Sequence, residues 1–170
     1  MSRIVIIGNS GGGKSTLARK LAKRRGLRHV EIDRLLWQEG WTLTPTDLYM
    51  RQHHEIIEED EWVIDGLGQQ DSLPERIGRA TEIILIDMPI WMHFWLAAER
   101  QIAWASGSLD HSPGGITQMP PTERLFRTIW EVDQTWMPNV RALCTQAEKE
   151  GKNVTRLASV DELTAFAQAI

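Results

Sequence analysis

At 170 residues the chain is sized for one compact domain with a substantial core. Its net charge of −4, with both signs intermixed, argues against nucleic acid or a membrane surface as the default partner. Cys144 is the only cysteine, which excludes an internal disulfide framework and a cysteine-rich zinc site and fits a reducing, cytoplasmic setting.

An apolar run over residues 3–7 opens the chain as a strand, too short for a secretory leader and followed at once by Gly8. Helical spacing begins at Ser15, and a second strand is expected at 29–32. Thr44, Pro45 and Asp47 signal a helix running towards Glu58, and a third strand follows at 62–64. Ser72 with Glu75 makes a capping box, ahead of a fourth strand at 82–86 and a long helix at 90–105. Residues 83–98 are the most apolar stretch, yet Asp87, Pro89 and His93 interrupt them, short of the roughly 20 apolar residues of a membrane helix. A second long helix is expected at 122–150 and a fifth strand at 153–157, and Ser159 with Glu162 opens the last helix. This alternation predicts a single α/β domain over 1–170, a parallel sheet covered by helices on both faces. Ligands in such sheets sit outside the carboxyl ends of the strands. Residues 106–121 break the pattern: they are rich in glycine and proline without apolar period. A loop of this length directly after a helix reads as a mobile lid.

Gly8, Asn9, Ser10, Gly11, Gly12, Gly13, Lys14, Ser15 and Thr16 form the phosphate-binding pattern G-x-x-x-x-G-K-[ST] between the first strand and a helix. Glycine reaches positive φ without steric cost, so successive N–H groups can turn towards one anion. The helix that follows adds unpaired N–H groups and the positive end of its dipole. Lys14 then reaches the outer phosphates and the Ser15 hydroxyl binds magnesium, so a nucleoside triphosphate with magnesium is expected here.

Three strands run into acids. Strand alternation places Glu31 and Asp33 on one side of the sheet. Asp33, nearer the carboxyl end, can project into the cleft and take or orient the proton of an attacking hydroxyl. It can equally cap the segment that starts at Arg34. Asp65 ends the third strand, before Gly66, and Asp87 the fourth. Either carboxylate can hold magnesium through water or cap a turn, and the spacing leaves both open.

Taken in order, these residues resemble the P-loop kinase group that includes adenylate and shikimate kinases. The resemblance rests on the loop 8–16, on His29-Val30-Glu31-Ile32-Asp33 with Trp37 and Trp41, and on Trp62-Val63-Ile64-Asp65-Gly66. It continues through Arg76 and Ile84-Leu85-Ile86-Asp87-Met88-Pro89. Within the group the chain is most similar to the bacterial topology-modulation, or adenylate-kinase-like, proteins. The resemblance implies a three-layer P-loop NTPase fold with sheet order 2-3-1-4-5, a small substrate-binding unit at 34–60 and a lid at 106–121. It implies ATP as the donor, and Asp65 with Ser15 as the residues holding magnesium. It also matches Glu31 and Asp33 to the paired acids of the shikimate kinase second strand, the later of which contacts the acceptor. Lid and substrate-unit arginines would neutralise the transferring phosphoryl group, and lid closure would exclude water.

No lysine or arginine lies between Arg100 and Arg124, and His111, the one candidate cation there, is mostly neutral at pH 7 when exposed. Charge stabilisation is therefore expected from Arg100, Arg124 or Arg127, or from a partner chain. Arg124 and Arg127, three apart, share a helix face that meets either the lid or solvent, with Glu123 or Glu131 as partner. Arg76 and Arg141 are weaker candidates. Trp37 and Trp41 either stack on a planar acceptor or pack the small unit onto the core. Trp91, Trp95 and Trp130 read as helix core or as the face of a homodimer. His53 and His54 are adjacent and point apart on a helix. No histidine pair has zinc spacing, so magnesium is the only metal expected.

The leading expectation is an ATP-dependent phosphotransferase acting on a small-molecule or nucleotide acceptor, with Lys14, Asp33, Arg100, Arg124 and Arg127 in catalysis. The alternative is a nucleotide-responsive regulator with slow hydrolysis and a protein or DNA partner, motivated by the uncharged lid and the eight tryptophans.

Overall fold

Four consecutive apolar residues in a strand must be covered on both faces. β1 (Ser2–Gly8) meets that demand: Ile4, Val5, Ile6 and Ile7 are wholly buried in this computed structural model, which describes residues 1–170. α1 (Lys14–Arg25) follows, then β2 (His29–Glu31) and a short α2 (Ile32–Leu36). β3 (Trp37–Gln38) and β4 (Thr42–Leu43) pair antiparallel as a small hairpin. α3 (Thr46–Ile57) leads to β5 (Glu61–Asp65), and α4 (Leu73–Arg79) to β6 (Glu82–Ile86). α5 (Ile90–Ala105) ends where residues 106–121 begin. α6 (Thr122–Glu131), a π-helical stretch (Val132–Trp136) and α7 (Met137–Lys149) run on without a break, and β7 (Asn153–Leu157) and α8 (Val160–Ala169) close the chain.

Five strands form one parallel sheet in the order β2-β5-β1-β6-β7, which is 2-3-1-4-5 when only its own strands are counted. Alternation along each strand divides the core in two. Val5, Ile7, Ile64, Ile83 and Leu85 join one cluster with Tyr49, Ile57, Ile77 and Val140 from α3, α4 and α7. Ile4, Ile6, Val63, Ile84 and Ile86 join the other with Leu17 and Leu21, against which Leu163 and Phe166 of α8 pack. Each such aliphatic side chain contributes roughly 1.5–3 kcal/mol by leaving water, and together they fix the strand ends where the loops meet. No helix is long and apolar enough to cross a membrane.

Three local details depart from the sequence expectations. β2 stops at Glu31, so Asp33 sits on α2 and not on the strand. The helix expected over 122–150 contains the π stretch. Pro138 has no N–H, and its ring crowds the carbonyl four residues back. The ladder widens just ahead of it, and the Met137 N–H bonds the Val132 carbonyl, five residues back. Ser72 caps no helix; its hydroxyl donates to the Gln69 carbonyl at 2.7 Å and lies 3.0 Å from the Tyr49 hydroxyl. The Ser159 cap does form, accepting from the Glu162 N–H at 3.1 Å, while the Glu162 carboxylate accepts from the Ala158 N–H at 2.8 Å.

Candidate active site

The loop after β1 is shaped by glycine geometry. A Cβ on Gly8 would stand 2.4 Å from the Ile86 carbonyl oxygen, so no other residue leaves the sheet at this point without displacing β6. Gly13 adopts φ +78° immediately before α1, and no side chain caps that helix. Its first-turn N–H groups are therefore available to an anion. Lys14 bends back over the loop, its Nζ donating to the Asn9 carbonyl at 2.6 Å. Two struts hold the loop from behind. His93 on α5 donates from Nδ1 to the Ser10 carbonyl at 2.8 Å, and the Asn9 side-chain amide donates to the Ile129 carbonyl of α6 at 2.8 Å. The Asn9 side chain thus braces the loop and leaves only its backbone to a ligand. Burial keeps His93 below the ordinary histidine pKa, against the raising effect of the Ser10 carbonyl, so it braces the loop as a neutral ring.

The two strand-end acids have different partners. Ser15 Oγ donates to Asp65 Oδ2 at 2.5 Å, and His29 Nε2 stands 2.9 Å from the other oxygen, Oδ1. Asp87 is held elsewhere, accepting from Arg141 Nε at 2.9 Å. One serine and one carboxylate suit a magnesium ion that completes its shell with phosphate oxygens and water. No cluster of three or more His, Cys, Asp or Glu side chains is present to hold a metal unaided.

Asp33 enters the cleft despite leaving the strand, because the first turn of α2 aims it towards Lys14 and Arg100. Burial raises its carboxyl above the usual range, against the opposing pull of Lys14 and Arg100. Burial lowers Lys14, and Asp33 and Asp65 oppose that shift. Burial also lowers Arg100, whose Nε is enclosed with no hydrogen-bond partner. Two half-buried cations with spare donors around a half-buried acid are the charge arrangement that an incoming polyphosphate completes. Glu31 is occupied differently, paired with Arg19 at 3.2 Å and with Arg34 at 3.6 Å.

Two cavities meet at this point. One, of about 600 Å³, is lined by the glycine loop, Ser15, Asp65 and Arg19, with residues 108–113 and Val160 and Leu163 of α8 as further walls. The other, of about 630 Å³, is walled by Trp37, Trp41 and Trp136. Ser10, Asp33, Arg100 and Pro113 line both.

The segment 106–121 lies down over this junction. The Trp41 indole N–H donates to the Gln118 carbonyl at 2.8 Å, and Gln101 Nε2 donates to the Pro120 carbonyl at 2.9 Å. Gly114 sits so close to the Asp33 backbone that a Cβ there would be 3.1 Å from the Asp33 carbonyl oxygen. Trp41 takes φ +57°, the only non-glycine residue with positive φ, and its carbonyl accepts from Arg124 at 3.3 Å.

The remaining candidates divide clearly. Arg124 lines the second cavity with its guanidinium 5.8 Å from the Trp37 ring centroid. Arg127 is not brought to the site; it is exposed and pairs with Glu123 at 2.7 Å, the solvated-face alternative. Arg76 is wholly buried and donates to the Gly66 and Leu67 carbonyls at 3.0 and 2.7 Å, which anchors the loop after β5. His111 lines the first cavity. Trp91 and Trp95 are 61% and 62% exposed and Trp130 is 53% exposed, so none of the three is core. Sequence reasoning missed His29, His93, Arg19 and Trp136. His29 had a signal, lying two residues before Glu31 and hence on the same strand face; the others had none locally.

No protein-family model matches this sequence, and no curated protein is significantly similar to it. Among solved structures, shikimate kinase from Bacteroides thetaiotaomicron superposes with a TM-score of 0.57 at 17% identity, over 99% of this chain and 95% of that one. Shikimate kinase from Aquifex aeolicus vf5 is matched at 20% identity over 81% of this chain and 98% of that one, with a TM-score of 0.42, too loose to carry weight. The likeness to the first shows a shared fold, a five-stranded parallel sheet with helices on both faces.

Proposed function

We propose that the protein is an ATP-dependent phosphotransferase that moves the terminal phosphoryl group of ATP to an acceptor held in the tryptophan-walled cavity. One observation carries this reading: the phosphate-loop cavity and the second cavity share Asp33 and Arg100, a carboxylate and an unpartnered guanidinium. The motif order further supports placing the chain, within P-loop kinases, beside the topology-modulation family.

The loop N–H groups and Lys14 hold the triphosphate with its outer phosphorus facing Asp33. Ser15 and Asp65 would hold magnesium, which when bound draws charge from the β- and γ-phosphates. His29 keeps Asp65 oriented by binding the oxygen that does not face Ser15. Asp33 takes the acceptor's hydroxyl proton as the new oxygen–phosphorus bond forms. The bond from the γ-phosphorus to its bridging oxygen breaks, and ADP leaves. Arg100 swings its spare donors onto the charge that develops in transit, the role for which the 106–121 segment has no cation of its own. That segment, laid over the junction, excludes water and so favours transfer over hydrolysis.

The test is ADP release from ATP and magnesium by the purified protein, alone and then with pooled hydroxylated metabolites, nucleosides and nucleoside monophosphates. Strong stimulation by one pool, lost in Asp33→Asn, is expected. A slow rate indifferent to every pool, with ATP still bound, would overturn the kinase reading. It would favour a second one, a nucleotide-responsive regulator with a protein partner. That reading has one observation behind it: Trp91, Trp95 and Ile102 leave a large apolar surface exposed on α5.

A further inference from the structure

The second cavity identifies its occupant more narrowly than the reaction does. Its walls are aromatic. Trp37 and Trp41 meet edge to face with ring centroids 5.8 Å apart, and Trp136, at the end of the π stretch ahead of Pro138, adds a third ring. Gln69, Gln70 and Asp71 also line the cavity and offer amide and carboxylate groups beside these rings. Their backbone is fixed. Arg76 grips the Gly66 and Leu67 carbonyls from below, and the Tyr49 hydroxyl accepts from the Gln69 N–H at 3.2 Å.

Charge decides what kind of molecule fits. Only two cations line the cavity, Arg100 and Arg124. Arg100 stands at the junction, where the transferring phosphoryl group needs it. Arg124 already lies over Trp37 and donates to the Trp41 carbonyl. Facing them are Asp33 and Asp71. An acceptor bearing a phosphate or carboxylate would bring its charge against two acids with no free cation to receive it, a burial that is costly without pairing. A neutral acceptor meets no such conflict. Flat rings stack on aromatic side chains whatever their identity, whereas amide side chains at a ring's edge read its donors and acceptors.

We infer that this cavity binds a neutral molecule made of a planar heteroaromatic ring and a hydroxyl-bearing arm, the chemistry of a nucleoside, with the ring among the tryptophans and the hydroxyl at Asp33. The inference rests on the kinase reading for the identity of the acceptor but on the cavity alone for binding. In the reaction, the nucleoside hydroxyl loses its proton to Asp33 and its oxygen bonds the γ-phosphorus as ADP departs, giving a nucleoside monophosphate.

The experiment separates the two claims. Intrinsic tryptophan fluorescence of the full chain, with the phosphate loop saturated by a non-hydrolysable ATP analogue and magnesium, is titrated with adenosine, guanosine, cytidine and uridine, with their 5′-monophosphates, and with shikimate. At least one nucleoside is expected to quench, with affinity about tenfold or more above its own monophosphate. Trp37→Leu should weaken that binding about tenfold and leave ATP affinity unchanged. Gln70, exposed on its turn, tolerates Gln70→Ala without threatening the fold, and that variant should change the ranking among the four nucleosides. Tighter binding of a monophosphate or of shikimate, or no nucleoside binding by a protein that binds ATP, overturns the inference. Nucleoside binding without transfer from ATP upholds the cavity assignment and removes the kinase reading.

Discussion

The phosphate-loop cavity and the tryptophan cavity are similar in size and share a wall, yet they are made of different materials. The first is built from backbone: a glycine turn, the open end of α1, and one lysine bent over them. The second is built from side chains delivered by α2, the β3–β4 hairpin, the loop after β5, α6 and the π stretch. A backbone site tolerates no change of shape but reads almost nothing about its ligand beyond charge. A side-chain site can be retuned one residue at a time. A common donor therefore suits the first, and a discriminated acceptor the second.

Mutations that separate the two halves put this contrast at risk. Lys14→Ala should abolish ATP binding in isothermal titration while the circular dichroism spectrum is retained; unchanged binding would remove the donor assignment. Arg100→Gln should lower transfer by about 10³-fold with ATP affinity little changed, since its guanidinium acts on charge that appears only in transit. Asp33→Asn should cost about 10²-fold or more in kcat. It should also stabilise the protein at neutral pH. The raised Asp33 pKa means that ionising this carboxyl costs more in the folded chain than in the unfolded one, so stability falls as pH climbs above the unfolded value. Asparagine escapes that loss, and melting curves at pH 7 should show a higher Tm for the variant.

His53 probes the scaffold that the two halves share. It is fully buried, stacked on Tyr49 with centroids 5.9 Å apart, and both ring nitrogens lack partners. Burial, helped by Arg76 and His54, lowers its pKa from 6.5 to about 4. As pH falls from about 6.5 towards 4, the unfolded chain takes up a proton that the folded chain refuses, and stability drops by on the order of 3 kcal/mol. Urea titrations at pH 7 and 4.5 should show that drop in the parent and a smaller one in His53→Phe. The smallest effect belongs to Trp41→Phe, which keeps a ring but loses the donor to the Gln118 carbonyl. Loss of one hydrogen bond worth about 1 kcal/mol should raise ATP hydrolysis without acceptor by roughly fivefold. An unchanged rate would show that segment 106–121 is held by something else.

How far the sequence was legible follows from the same contrast. The five strands and the phosphate loop were readable because each is encoded within a few consecutive residues, either as an apolar run or as a fixed spacing of Gly8, Gly13, Lys14 and Ser15, whereas the order of the strands followed only from the resemblance to P-loop kinases. Asp65 over Asp87 was open from spacing alone, since that choice depends on Ser15 and Arg141, which lie 50 and 54 residues from their partners. Arg124 and Arg127 looked equivalent as residues three apart; only the packing of α6 against the hairpin separates them. Trp136 was invisible as a cavity wall because its orientation depends on a helix distortion that no apolar period announces. Asp33 reached the cleft by a route not foreseen, on a helical turn instead of a strand, because α2 begins as soon as β2 loses its partner at Asp65.

The hydrogen bonds from Trp41 and Gln101 to the carbonyls of Gln118 and Pro120 have a further consequence. A cover drawn down by arginines is pulled by charge, and its closure weakens as added ions shorten the Debye length to about 8 Å and below. Two of this cover's fasteners are neutral donors to carbonyl oxygens, a third is the Thr117 N–H donating to Glu39 at 3.5 Å, and the stretch has no lysine or arginine. Its closure should depend only weakly on ionic strength, so whatever salt dependence the catalytic cycle shows would report the phosphates at Lys14 and Arg100 and not the cover.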